Sequence, residues 1–442
     1  MTTDPAGPAD PAGAAAAGGS AEPARRLVIA YCFVPYVDTS GTVAAKRVCL
    51  QGEPVDVIQN EMSRIRAVDP GLDAVADGQI RRRALLETPT YFSSWRSIVP
   101  WCEEGMAQVA RWTHESELAG ELLEHGLPWS SMFSRSHFVA SHFLAALVKA
   151  EHPQVQWEAE FSDPCSADAT GAERHAPMQE SELWDRLRAL LVDAGWEPPA
   201  SDNVFEWAEV LVYAFADRIL FTNAQQAEYM AQRCEARDPR LAGRLREHTV
   251  AAHHPMLPAR FYGLDHAPVE LEEGVINIAY FGNFYGKQSP IAAVEAMGML
   301  PPEQRERLRL HIFTQPTATL REVVEGMGLQ DTVKVEEFLP FLQFLEIAQR
   351  MDILLVVDYP LPVGAERNPF LLSKWGDYRG SGTPVWGILE ESSVLSSTDD
   401  PALQFRTPVG HATAAAQLLS RLARGVTRPD REAARPSAAR PA

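Results

Sequence analysis

Three stretches of this sequence hold residues whose types and spacing suit chemistry on a phosphorylated, hydroxyl-rich ligand. Gly282-Asn283-Phe284-Tyr285-Gly286-Lys287 follows an apolar run and joins two glycines to one lysine. Glycines let a backbone approach a ligand closely, and the ammonium supplies a point charge for a diphosphate. An ordinary strand-to-helix turn with a solvated lysine fits the same spacing. Further on, Lys374 and Asp377 stand three apart ahead of Gly380-Ser381-Gly382-Thr383-Pro384-Val385. On a helix beginning near Phe370 they would share one face, either as a phosphate cation and a ribose-binding carboxylate or as a surface ion pair. In the N-terminal half, Ser134-Arg135-Ser136-His137, Ser141-His142 and Phe161-Ser162-Asp163-Pro164 fall at neighbouring strand ends. His137, His142 and Asp163 are therefore candidates to act on a ligand, although each histidine alone equally suits a structural hydrogen bond. His253-His254 lacks partners at ligand spacing and reads as structural.

Those groups need elements to hold them. An Ala/Gly/Pro-rich arm, 1–24, is expected to be disordered, and Arg25-Arg26 opens the folded sequence. The apolar run 27–33 predicts a strand buried on both faces of a parallel sheet, followed by Asp38-Thr39-Ser40-Gly41-Thr42 and a helix over 43–50. Strands over 55–58, 130–134, 155–161 and 218–222 alternate with helices over 139–149, 180–194, 204–216 and from Ala224. A largely helical, Trp- and Arg-rich insert is expected over about 60–126. Residues 25–255 thus form one domain, and 256–274 reads as a linker. The same grammar restarts over 275–425, with strands at 275–281, 308–313, 332–335, 353–357 and 384–387. Helices are expected there at 289–297, 319–327, 341–350, 370–380 and 411–423, and an Arg/Pro/Ala tail, 426–442, is expected to be disordered. The alternation predicts the α/β class: two Rossmann-like, doubly wound parallel-sheet domains facing across a cleft, with ligands outside the carboxyl ends of the strands.

Composition narrows the field. A chain of 442 residues exceeds one hydrophobic core. Its net charge of −19 excludes a nucleic-acid partner and weakens docking onto anionic lipid, leaving peripheral membrane contact to a local patch. The five scattered cysteines form no CxxC or zinc spacing, and no signal peptide or long apolar run is visible, so the expected location is cytoplasmic. G-x-G-x-x-G after the first strand, the P-loop, G-x-S-x-G and H-E-x-x-H are all lacking. So is a strand-terminating D-x-D for a metal–diphosphate, so neither a metal nor a cofactor is expected.

These motifs together resemble the family-4-like (group 1) retaining glycosyltransferases of the GT-B fold. The likeness is carried by residues 276–282, 333–338, 348–355 and Ser373-Lys374 through Asp377-Tyr378 to Gly382-Thr383-Pro384-Val385. Ser40-Gly41, Ser141-His142, 161–164 and 216–223 add to it more loosely. The resemblance implies a nucleoside-diphosphate sugar as donor and transfer with retention to a glycan, lipid-linked or small-molecule acceptor. Polysaccharide or glycoconjugate synthesis in bacteria is the implied setting. It further implies that Gly41, Gly282 and Asn283 pass near the donor, that Lys287 and Lys374 neutralise the diphosphate, and that Asp377 holds the ribose. The base would lie near Thr314, Gln315 and Leu339, with Tyr378 and Gly382 in the same donor motif, and His137 or alternatively His142 would face the transferred sugar. The chain departs from the family at Asn283, where an arginine is usual, and at Pro369, where the first of two glutamates would fall; Glu366 lies three residues earlier. The family's last helix is expected to be short or missing. Two alternatives remain: a non-catalytic relative acting as a partner or scaffold subunit, and a GT-B nucleotide-sugar epimerase.

Overall fold

The computed structural model describes residues 25–91, 93–283 and 289–436. The arm 1–24 and Lys287 lie outside the described residues.

The N-terminal domain is built on strands β1 (Arg25–Ile29), β2 (Val55–Asn60), β3 (Ile80–Leu86), β4 (Trp129–Arg135), β5 (Gln156–Phe161), β6 (Arg218–Phe221) and β7 (Thr249–Ala251). They form one parallel sheet in the order β3-β2-β1-β4-β5-β6-β7. Helices α1 (Thr39–Gln51), α2 (Trp95–Leu118), α3 (Ala140–Glu151), α4 (Glu182–Asp193), α5 (Val204–Phe215), α6 (Ala224–Glu235) and α7 (Pro239–His248) accompany it. All of β1 is buried: its Leu27–Ile29 end is apolar, and Arg25 and Arg26 at its start are paired with Glu121 and Glu158.

The insert is only partly helical. Besides α2 it contains a 3₁₀ turn, Pro70–Val75, and the edge strand β3. That strand carries Arg81, Arg82 and Arg83, which pair with Glu121, Asp56 and Asp73, so apolar alternation gives no sign of it.

The C-terminal domain repeats the plan with β8 (Ile276–Phe281), β9 (Leu308–Phe313), β10 (Val333–Glu336), β11 (Ile353–Val357), β12 (Val385–Leu389) and β13 (Leu403–Pro408). Their order is β10-β9-β8-β11-β12-β13, again all parallel. Its helices are α8 (Ile291–Gly298), α9 (Pro302–Arg305), α10 (Ala318–Gly326), α11 (Phe341–Arg350), α12 (Lys374–Ser381), α13 (Ala412–Ala423) and α14 (Arg431–Ala434). The edge strand β13 was not expected; half of its residues are solvated. The tail is ordered as far as residue 436: Asp430 caps α14, and the Arg431 guanidinium donates to the carbonyls of Gln349, Arg350 and Met351. Those carbonyls end α11 and have no partner within the helix.

Strand order reverses between β1 and β4 in one sheet and between β8 and β11 in the other. Each reversal opens a crevice at the carboxyl edge. The loops leaving those edges meet. Asp69 Oδ2 accepts from the Phe341 N–H at 3.1 Å, Thr170 O from the Val363 N–H at 2.9 Å, and Asn223 Nδ2 donates to Pro369 O at 3.0 Å. The linker joins the packing through a 3₁₀ turn, Ala259–Gly263, and one apolar cluster runs from Val28 and Phe33 through Phe261 and Tyr262 to Phe281 and Tyr378.

Candidate functional site at the domain junction

At the C-terminal edge, β8 is followed by Gly282, whose φ of 148° favours glycine. A Cβ there would lie 2.4 Å from Lys374 Nζ, so a side chain at this position would displace the ammonium. Lys374 is the first residue of α12, and the structure shows no hydrogen bond or ion pair for it among the described residues. Burial pulls its pKa down to about 8, against the charge of Asp377. Asn283 is beside it and ties two strand ends together: its Oδ1 accepts from the Gln315 N–H at 3.3 Å, and its carbonyl accepts from Tyr280 at 3.3 Å. Among the described residues the buried Thr314 hydroxyl has no hydrogen-bond partner, and Leu339 is half-buried. Gly282, Asn283, Thr314, Gln315 and Lys374 thus gather at one edge.

Other expected donor-site residues are used differently. Asp377 Oδ1 lies 2.5 Å from Lys46 Nζ, an ion pair between α1 of one domain and α12 of the other, with both side chains buried. Burial raises the Asp377 pKa, and the Lys46 charge opposes that rise. The Lys46 ammonium also lies over the Phe341 ring. Asp377 is therefore not an open ribose acceptor in this arrangement. The buried Tyr378 phenol accepts the Phe281 N–H, beneath the expected ligand loop instead of on it. Gly382 is the left-handed cap (φ 68°) that ends α12, a full helix length from Lys374. Glu366 is exposed.

At the N-terminal edge, Asp38 caps α1: its Oδ1 accepts from the Ser40 and Gly41 N–H groups, and its Oδ2 accepts from Arg66. A Cβ on Gly41 would stand 3.1 Å from Cys32 O and 3.2 Å from Phe33 Cα. Close packing of α1 thus favours this glycine, and its amide is engaged by the Asp38 cap. Behind it, Glu160 bridges Arg135 (2.6 Å) and Arg47 (3.0 Å), and Arg135 reaches the Ser40 hydroxyl at 2.9 Å. Burial opposes the Glu160 charge, yet the two guanidiniums hold its pKa down at about 2.

The three N-terminal candidates separate. His137 stands at the rim, its Nε2 3.8 Å from Asp38 Oδ2, with part of the ring open to solvent. Enclosure lowers its pKa while the carboxylates of Asp38 and Asp163 oppose that shift. Asp163 lines a small cavity of about 20 Å³ together with His137, Ser93, Ser136, Ser162 and Arg174. Burial raises its pKa against the nearby Arg174, Arg135 and His137. His142 is not at the site. It is completely buried in α3, with Nδ1 2.8 Å from the Ser134 hydroxyl, and burial followed by Arg135 lowers its pKa to about 3. Its place in the first turn points it into the sheet core. His253 and His254 each bond a backbone carbonyl.

Sequence reasoning missed Lys46, Ser93, Arg174 and Asp358. Asp358 follows β11 at the strand-order reversal, accepts the Glu390 N–H at 3.1 Å, and is pushed by burial up to about 7, against its bond to Ser393. Its position just after an apolar run was a usable signal; Lys46 gave none, because its partner is 331 residues away. Among the described residues, no group of three or more His, Cys, Asp or Glu is placed to hold a metal ion. None of the helices there is long and apolar enough to cross a membrane.

No family model and no curated protein matches the chain by sequence. Solved structures match it by shape. The catalytic domain of Arabidopsis thaliana starch synthase IV, bound to ADP and acarbose, aligns with a TM-score of 0.54 at 10% identity, covering 93% of this chain and 94% of that one. Anabaena HepE in complex with UDP gives 0.53 at 10% identity over 93% and 92%. Sucrose-phosphate synthase from Thermosynechococcus elongatus gives 0.52 at 14% identity over 93% and 91%. The chain shares their fold, GT-B, with two Rossmann-like domains.

Proposed function

We propose that the chain is a glycosyltransferase that moves a hexosyl group from a nucleoside-diphosphate sugar to an acceptor hydroxyl, with retention and without a metal. The observation that carries this reading is the half-buried Lys374 ammonium, which has no partner among the described residues and lies over Gly282 at the carboxyl edge. Cleaving the donor builds negative charge on the leaving diphosphate, and a fixed cation there lowers the barrier. Asp163 and His137, at the opposite edge, would be the groups that meet the acceptor. Contact between the two edges would exclude water, which otherwise hydrolyses the donor. Structures of the same fold that hold UDP or ADP support a nucleotide at this junction. The cytoplasm and bacterial polysaccharide or glycoconjugate synthesis are the setting we propose.

Calorimetry with UDP, GDP and ADP tests this. One nucleotide should bind, and Lys374→Ala should weaken it at least about tenfold, or ~1.4 kcal/mol. Turnover should fall by about 10²–10³. Binding of none of the three would overturn the reading. The Lys46–Asp377 pair favours a second reading, a non-catalytic partner subunit, because it occupies the carboxylate that the family resemblance gives to the ribose. Nucleotide binding with no transfer or hydrolysis from any sugar donor would select it.

A further inference from the structure

The cavity at the N-terminal edge is arranged around Ser93. Among the described residues Ser93 is the only non-glycine with positive φ, 50°. Serine adopts that backbone only at a cost. The residue is 5% exposed, and its Oγ makes no hydrogen bond among the described residues. A buried hydroxyl without a partner is unfavourable in its own right. Ser93 thus carries two local penalties, and neither stabilises the fold.

Two half-buried groups sharing that cavity keep capacity to bond a ligand. The structure shows no hydrogen bond or ion pair for the Asp163 carboxylate among the described residues, and desolvation raises its pKa. Among the described residues the Arg174 guanidinium hydrogen-bonds the Pro164 carbonyl, at 3.4 Å. An acceptor, a donor and a hydroxyl that can do either therefore converge on about 20 Å³, room for one water-sized group. The opposed charges define the complement: a phosphate would meet Asp163, whereas an ammonium would meet Arg174. A neutral hydroxyl can donate to the carboxylate while accepting from the guanidinium. Val139 and Phe205 supply an apolar wall beside it.

We propose that Ser93, Asp163 and Arg174 form a subsite that receives one hydroxyl of a neutral, sugar-like ligand. Naming that ligand the acceptor rests on the transferase reading above; the subsite itself does not. The loop that carries Arg174 is closed by a bridge between Ala167 and Glu173, and its Thr170 carbonyl accepts the Val363 N–H of the other domain. The occupant would therefore lie beside the junction, where a transferred group would arrive.

Ligand-observed NMR on the full chain tests the proposal, using glucose, galactose, mannose and glycerol, with glucuronate and inorganic phosphate as charged comparators. Nucleotide calorimetry runs in parallel. Ser93→Gly removes the hydroxyl and suits the backbone, so it should fold with an unchanged or higher Tm; Ser93→Val fills the space. At least one neutral sugar should bind the native chain and bind both variants about tenfold or more weakly, with nucleotide affinity held within about twofold. The proposal is overturned if no neutral sugar binds, if the charged comparators bind in preference, or if Ser93→Gly binds sugar as the native chain does. That last outcome would leave the cavity to a buried water. Sugar binding that depends on Ser93, in a chain that binds no nucleotide, would remove the transferase reading and keep the subsite.

Discussion

The two carboxyl edges share an architecture and differ in the charge they leave open. At the C-terminal edge the open group is a cation, Lys374, beside Gly282. At the N-terminal edge most cations are paired: Arg135 and Arg47 are bound to Glu160, and Arg66 is bound to Asp38. What remains open there is a carboxylate, Asp163, facing the guanidinium of Arg174 across a hydroxyl, so the open charges nearly cancel. Strand order places a crevice on both sheets, but side-chain chemistry decides what each can hold. One wall suits the charge of a leaving diphosphate and the other suits hydroxyls.

That contrast can be broken most forcefully where the walls are joined. Lys46→Ala strands the Asp377 carboxylate in a buried junction and should cost ~3–5 kcal/mol in denaturant unfolding. A Lys46→Met/Asp377→Leu pair should recover most of that loss. A cost under ~1 kcal/mol for Lys46→Ala would show that the junction does not depend on the ion pair.

A smaller effect is expected from His142→Phe, which removes a core hydrogen bond to Ser134 worth ~1–2 kcal/mol. Turnover in that variant should stay within a few-fold of the native rate. A thousandfold fall would return His142 to the reacting groups and blur the division between core and edge.

The gentlest probe is pH. The Lys374 pKa is lowered to about 8, so the ammonium discharges as pH rises through that value. Nucleotide affinity should then weaken by up to about tenfold, ~1.4 kcal/mol, and Lys374→Met should abolish this pH dependence. The stability sign is opposite. A depressed lysine pKa penalises the folded state while the group is charged, so the penalty from Lys374 should be relieved progressively as pH rises from about 8 toward the ordinary lysine value of 10.5.

The fold was legible where burial on both faces leaves unbroken apolar runs, as in residues 27–33 and β11. It was illegible at the sheet edges, where solvent relaxes the pattern: β3 is full of arginines and β13 is half solvated. Residues at the site followed a similar rule. Gly282, Lys374 and Asp163 stand next to strand ends or helix starts, which sequence periodicity locates. The engagement of Asp377 by Lys46 is tertiary, and no local spacing announces it, whereas the hold of Asp38 on the Gly41 amide is a local helix cap that the sequence could have shown. His142 shows the limit of counting from a strand end, because one helical turn carries a side chain from the rim into the core.

The Lys46 ammonium also bears on how quickly a ligand can enter. It is tethered to the molecule whose carboxylate it occupies, so it competes at a high effective concentration. An incoming nucleotide that needs Asp377 would see only the fraction of molecules in which the pair has parted, and its apparent affinity would be reduced by that fraction. Its observed association rate would then level off at high nucleotide concentration, at the rate of parting. A linear rise without a plateau would mean that Asp377 stays with Lys46 throughout and that the ribose is held elsewhere.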